Sequence, residues 1–191
     1  MNIWITSLAS NDYRWFAAGA DEPVQQGSLD ECKAFITKLN AEHTVYCHLI
    51  IDALDCAARK IVFAHKERKH IQKALPFLLE ESVLTDIDNM HYVHSKPEQH
   101  FVDVQVLDKS FLEGQLAPFI EAGITIDHCY SEFNLLSKTC PDDAWQLVFL
   151  DNKFLIQTIC NLITVYRATA LPKFVKLILR VREKFNSCYT S

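Results

Sequence analysis

An α/β fold built on mixed sheets is what this sequence predicts, and three observations carry that expectation. Short β-branched and aromatic runs alternate with longer segments whose apolar residues recur every three to four positions. Strand-like runs come first as a pair and then singly after helical segments, an order that suggests a mixed sheet with helices against it. The chain's 191 residues, 49% apolar and 23% charged, suffice for a real core and do not resemble a disordered composition.

Ile3 to Leu8 and Tyr13 to Ala18 read as a strand pair joined across Asn11-Asp12, a turn-forming dipeptide. Leu29 to Leu39 is helical, with Ser28 as N-cap and Glu31 three residues on, the capping-box pattern. Val45 to Ile51 is β-branched and apolar, a strand buried on both faces. Ala57 to Ala64 gives another strand, with Ile61 and Phe63 on one face. From Lys66 to Leu84, the residues Ile71, Leu75, Leu78, Leu79 and Val83 form a stripe of helical period. Pro76 lies inside that stripe, lacks an N–H, and predicts a bend or a break. Met90 to His94 and Phe101 to Leu107 are strands separated by Ser95-Lys96-Pro97. Ser110 to Ala122 is a helix with Phe111, Leu112, Leu116, Phe119 and Ile120 on one side, bent or split at Pro118 and ended by Gly123. Ile124 to Cys129 and Trp145 to Leu150 follow as strands, the latter turning at Asp151-Asn152 into Phe154 to Ile156. This order is compatible with a ribonuclease H-like lobe, the unit duplicated in actin-like proteins.

The net charge of −5 argues against nucleic acid as the main partner. It is unevenly spread: from Thr158 onward six basic residues face one acid, a net of +5 that leaves −10 on Met1 to Gln157. Seven cysteines form an odd set without a CxxC pair, most of them in apolar neighbourhoods where a thiol behaves as a small hydrophobe. Met1-Asn2-Ile3-Trp4-Ile5 has neither a basic n-region nor a small-residue cleavage site. The sequence therefore predicts no signal peptide and a reducing cytoplasm. No apolar run reaches the roughly 18 residues that a spanning helix requires.

The motifs argue against catalysis. A phosphate cradle needs backbone N–H groups close to the ligand, which in practice requires glycine. The chain has four glycines, none of them in the first hairpin turn, Ala9-Ser10-Asn11-Asp12, where an actin-like ATPase would hold phosphate. GxxxxGK[ST], HExxH and GxSxG are all missing from the sequence. His91 and His94 stand three apart on a strand and so point to opposite faces, while Cys47-His48 and His128-Cys129 are adjacent pairs with the same fault. The expectation is no catalytic residue, no metal and no cofactor.

Charge order along Lys66 to Leu84 is the remaining feature. Lys66, Arg68, Lys69 and Lys73 crowd its start, whereas Glu80 and Glu81 lie near its end with Asp86 and Asp88 beyond. The helix macrodipole prefers the reverse by about 0.3–1 kcal/mol per exposed charge. Two readings stand: a solvated helix divided at Pro76, or carboxylates held for a basic partner.

At these residues the chain resembles the cytoplasmic region of type II secretion system protein L. Members carry an apolar strand, a basic helix start, Leu-Pro-aromatic-Leu-Leu-Glu-acid, a paired-Asp segment and a strand. Here these are Lys60-Ile61-Val62-Phe63, Lys69-His70, Leu75-Pro76-Phe77-Leu78-Leu79-Glu80-Glu81, Asp86-Ile87-Asp88 and His91-Tyr92. Val106-Leu107-Asp108-Lys109-Ser110-Phe111-Leu112 and Ile124-Thr125-Ile126-Asp127 look similar to later family segments. The resemblance runs from Ile3 to Gln157 and leaves Thr158 to Ser191 unmatched.

The resemblance implies actin-like, ribonuclease H-like lobes at residues 1–98 and 99–157, followed by a basic tail at 158–191. It implies a non-catalytic scaffold on the cytoplasmic face of the bacterial inner membrane that holds the N-terminal domain of the secretion ATPase, protein E. The platform proteins M, F and C are further partners, a homodimer is among the assemblies it allows, and membrane association runs mainly through partners. The alternative is an actin-like nucleotide-binding enzyme with an unrecognised site. Partner contact is expected at Glu80, Glu81, Asp86 and Asp88. In the tail, Lys173, Lys176, Arg180 and Lys184 share a helical stripe beside Phe174, Leu177, Ile178, Val181 and Phe185. Such a helix either meets anionic headgroups or packs its apolar stripe on the acidic body.

Overall fold

The computed structural model describes residues 1–8, 11–64, 70–80, 86–98, 100–136, 146–150, 153–157 and 163–167. The start of the 66–84 helix, Glu81, the Asp151-Asn152 turn and the basic tail with Lys173, Lys176, Arg180 and Lys184 lie outside the described residues. The chain divides into two units, Met1–Asn134 and Leu135–Ser191.

The first unit is organised by a five-stranded sheet. Strands β1 (Asn2–Ser7) and β2 (Tyr13–Ala18) pair antiparallel, and a short β3 (Gln25–Gly27) extends the sheet beyond β2. After helix α1 (Leu29–Asn40) the chain returns as β4 (Tyr46–Ile51), parallel to β1. Much later β8 (His128–Ser131) pairs parallel with β4. The order is β3-β2-β1-β4-β8, and β2 alone runs against the others, which is the ribonuclease H-like arrangement. Parallel neighbours need a crossover, and α1 supplies it between β3 and β4. Period-two alternation sends Ile3, Ile5, Tyr13, Trp15, Cys47 and Leu49 to one face, where they pack with Cys32, Phe35 and Leu39 of α1.

Helix α1 starts where the sequence said it would. Ser28 Oγ accepts from Glu31 N at 3.3 Å, and Glu31 Oε2 accepts from Ser28 N at 2.7 Å. These two bonds satisfy donors that the first turn otherwise leaves unpaired. The Ser28 N–H, and then the Ser28 hydroxyl donating to Oε2 at 3.0 Å, hold the exposed Glu31 carboxyl below the usual carboxylate range. A Cβ at Gly27 would overlap the Glu31 carboxylate, so a larger residue there would push that side chain out of its cap. Ser28→Ala is expected to lower stability by about 1 kcal/mol, the usual worth of an N-cap. Urea denaturation checks it; an unchanged midpoint would mean that water replaces the cap at no cost.

A second layer is inserted between β4 and the next helix. Strands β5 (Ala57–Val62), β6 (Met90–His94) and β7 (Phe101–Asp108) form an antiparallel sheet in the order β5-β7-β6. Helix α2 (Ile71–Glu80) buries Ile71, Leu75 and Leu79 against Val102, Val104 and Val106 of β7. Of the bend or break expected at Pro76, the break does not occur: α2 is helical from Ile71 to Glu80. Pro76 removes one intrahelical bond, whereas Ile71, Leu75 and Leu79, at most 1% exposed, gain about 1.5–3 kcal/mol each from burial. Packing outweighs the missing bond.

Helix α3 (Lys109–Glu121) likewise continues through Pro118. Asp108 caps it, accepting from Phe111 N at 3.0 Å. It ends on Gly123 at φ +70, where Gly123 N bonds Ile120 O at 2.9 Å and Ile124 N bonds Phe119 O at 2.8 Å. That pair of bonds is a Schellman stop, closed by apolar contact between buried Phe119 and Ile124. The expected strand from Ile124 to Cys129 is accordingly displaced. Ile124 serves the helix stop, and the chain enters the sheet only at His128, after Asp127 Oδ2 accepts from Cys47 N at 2.7 Å.

In the second unit β9 (Gln146–Leu150), β10 (Lys153–Gln157) and β11 (Ile163–Arg167) form an antiparallel sheet with β10 central and buried along its length. Strands β3 and β11 were not expected from the sequence. The lobe boundary expected after residue 98 lies within the inserted sheet, between β6 and β7, which pair in register from Met90↔Asp108 to His94↔Val104. The division between the two units falls between Asn134 and Leu135.

Candidate functional site

The β1–β2 turn is the place where an actin-like ATPase would hold phosphate. Asn11 carries it at φ 59, in the left-handed region that Asn tolerates, and Leu8 N bonds Asp12 O at 2.7 Å. The turn has no glycine, the residue that lets a phosphate approach the backbone most closely. Calorimetric titration with ATP is expected to show no binding at physiological concentration, and micromolar affinity would overturn that reading.

Thiol chemistry is equally disfavoured at two of the cysteines. Burial pushes the Cys32 thiol up to about 12 and the Cys47 thiol up to about 11, so neither is a nucleophile at neutral pH. Among the described residues no group of three or more His, Cys, Asp or Glu side chains converges as a metal site. Among them, too, no helix is long and apolar enough to cross a membrane.

The acidic segment has more definite geometry. Glu80 is the last residue of α2 and is exposed, and no basic residue stands in that last turn. Its carboxylate therefore adds to the negative end of the helix dipole. Asp86 and Asp88 lie on the 3-10 turn Ile87–Asn89 against which α2 packs, both exposed. Their roles differ. Asp86 caps the turn, its carboxylate accepting from Asp88 N at 3.0 Å, whereas the Asp88 carbonyl accepts from Lys109 Nζ at 2.6 Å. Three of the four expected carboxylates are thus exposed on α2 and on the turn packed against it, the fourth, Glu81, lying outside the described residues.

The same helix presents an anchor that the sequence reading passed over. Phe77 is 71% exposed on α2, between Leu75 and Leu79, which are both buried. The signal was present: an aromatic residue off an otherwise regular apolar stripe faces solvent. An exposed aromatic beside unneutralised carboxylates can seat an apolar side chain while the carboxylates meet lysines or arginines.

The sequence matches the family model of type II secretion system protein L over residues 2–185. The chain belongs to this family. The match passes Gln157 and so corrects the expectation that residues beyond it are unmatched to the family. A protein L from Pectobacterium carotovorum subsp. carotovorum is 20% identical over 132 residues, 69% of this chain and 30% of that protein. One from Dickeya chrysanthemi is 24% identical over 132 residues, again 69% of this chain and 32% of that protein. The chain thus spans about a third of the length of these curated relatives. Its fold resembles the solved cytoplasmic domain of EpsL, an inner membrane component of the type II secretion system of Vibrio cholerae. That likeness has a TM-score of 0.67 at 15% identity, covering 89% of this chain and 72% of the other. A mixed α/β fold, with the sheet order β3-β2-β1-β4-β8, is therefore what this chain shares with the cytoplasmic domain of a protein L relative.

Proposed function

We propose that this protein L chain is a non-catalytic scaffold of the inner-membrane secretion platform that recruits the cytoplasmic secretion ATPase, protein E, through that enzyme's N-terminal domain. The observation that carries the reading is the end of α2, where exposed Phe77 stands beside Glu80 and near the Asp86–Asp88 turn. Its acid and aromatic content suits a basic partner with an apolar contact. The glycine-free β1–β2 turn supports a scaffold over a nucleotide-hydrolysing enzyme. Membership of the protein L family supports a role at the cytoplasmic face of the inner membrane, with the platform proteins M, F and C as further partners and homodimerisation as part of assembly. Isothermal titration of the whole chain with the N-terminal domain of protein E tests the proposal. Saturable binding with one partner site per chain is expected, and no heat of binding at high micromolar concentration would overturn it.

The basic stripe of the tail belongs to the same proposal as a contact with anionic lipid headgroups, each Lys or Arg contributing about 1 kcal/mol near the surface. Cutting the chain at Gln157 would delete β11 from its sheet, so the sound test keeps the chain whole. Replacing Lys173, Lys176, Arg180 and Lys184 by Gln is expected to abolish flotation with anionic liposomes. Equal recovery of both proteins with the lipid would sink the idea.

A further inference from the structure

The inserted layer and the five-stranded sheet each have an apolar core of their own. Leu75 and Leu79 of α2 pack with Val102, Val104 and Val106 in one, whereas Phe35 and Phe119 pack on the sheet in the other. Among the described residues no side chain belongs to both cores. A close-packed core has low compressibility, so each layer behaves as one stiff body.

The chain enters and leaves the inserted layer side by side. It enters from β4 through the 3-10 turn Ala53–Asp55 into β5, and it leaves where β7 runs directly into α3. Ala57, the first residue of β5, pairs with Val106, two residues before the junction at Asp108. The layer is therefore attached at one end. Both roots are fixed to the five-stranded sheet: Ala53 N donates to Glu132 Oε2 at 2.8 Å, while Cys56 and Leu107 pack against the core that contains Phe119.

Beyond these roots, polar bonds tie the two layers. Gln105 alternates with Val104 and Val106 along β7, so its side chain points away from α2. Its Oε1 accepts from Ser131 Oγ of β8 at 2.8 Å, and its Nε2 donates to Asn134 Oδ1 at 3.5 Å. Ser131 Oγ also lies 3.4 Å from Asn134 Oδ1. Lys109 Nζ of α3 donates to the Asp88 carbonyl at 2.6 Å. Asn134, Lys109 and Asp88 are exposed, so water replaces such bonds at little net cost.

We propose that the inserted layer is a hinged arm that swings as a rigid body about Cys56–Ala57 and Leu107–Asp108, with the Gln105–Ser131–Asn134 contact as the latch that holds it closed. Hinges are a few element-terminal residues, and polar interfaces between compact bodies are where relative motion is expected. Swinging breaks the latch and leaves both cores and the strand pairs within each layer intact. Lys109 follows on its flexible stem. Exposed Phe77 and Glu80 travel with the arm, so a partner held at the end of α2 moves relative to the five-stranded sheet. The hinge itself does not depend on which partner that is.

Residual dipolar couplings of backbone amides, measured on the whole chain in a dilute aligning medium, test the swing without any partner. Couplings from β5, β6, β7 and α2 are fitted to one alignment tensor, and those from β1, β2, β4 and α1 to another. Gln105→Ala removes the latch from the arm, and Ser131→Ala removes it from β8. In each variant the two tensors are expected to differ in magnitude, and by more than in the unaltered chain. Unchanged amide shifts at Val102 and Leu49 show that both layers remain folded, and either variant that meets this condition suffices. A single tensor for both layers in the latch variants, or a difference no larger than in the unaltered chain, would overturn the proposal. Failure of the chain to bind protein E leaves it standing.

Discussion

Phe119→Ala is expected to lower the stability of the chain by about 3–5 kcal/mol, the range for removing a fully buried aromatic ring. Phe119 is 0% exposed and meets Tyr13 edge-on, with ring centroids 5.3 Å apart at 75°. It couples α3 to β2, elements about a hundred residues apart in sequence, so a cavity there loosens the crossover that brings β8 to the sheet. The adjacent Ile120 provides the control. At 71% exposure, Ile120→Ala should change stability by no more than about 0.5 kcal/mol on the same helix. Urea denaturation followed by circular dichroism measures both. A loss below about 1 kcal/mol for Phe119→Ala would mean that the site collapses around the smaller residue.

Charge reversal at the end of α2 should have the largest effect on binding. Changing Glu80, Asp86 and Asp88 to Lys is expected to weaken the complex with the N-terminal domain of protein E by about tenfold or more at low ionic strength. The difference should shrink at high salt, since screening shortens from about 10 Å at 0.1 M to about 3 Å at 1 M. Asp86 needs separate treatment because its carboxylate also caps the 3-10 turn through Asp88 N. Glu80→Lys with Asp88→Lys leaves that cap in place and should retain most of the effect. Phe77→Ala should weaken binding at both salt concentrations, as an apolar contact is not screened. Unchanged affinity in a folded triple variant would leave these carboxylates as ordinary solvated charges.

Much of the fold was legible in the sequence where local chemistry decides it. Ser28 and Glu31 announce α1 because a capping box involves only neighbours. Gly123 announces the end of α3 because the left-handed stop suits a residue without a Cβ. The apolar runs of β1, β2 and β4 were readable because their inward residues face one continuous core. Where reading failed, a distant partner intervened. Pro76 looked like a break, yet β7 holds the helix on both sides of it. Ile124 to Asp127 looked like strand, yet their bonds go to the Phe119 carbonyl and the Cys47 backbone. Strand β3, with only three residues and two glutamines among them, has no pattern of its own and exists because β2 offers an edge.

The candidate surfaces divide along the same line. The carboxylates at Glu80, Asp86 and Asp88 and the glycine-free turn could be read from residue order alone. So could the resemblance to protein L, since the Leu75-Pro76-Phe77-Leu78-Leu79-Glu80-Glu81 run is contiguous. Only the tertiary structure gave Asp86 a capping role and set His48 beside His128 across β4 and β8. Those two histidines lie 80 positions apart, and no local periodicity relates them. The reason is physical: caps, turns and amphipathic stripes are decided within a few residues, whereas strand register and cross-strand neighbours are fixed only when distant segments pair.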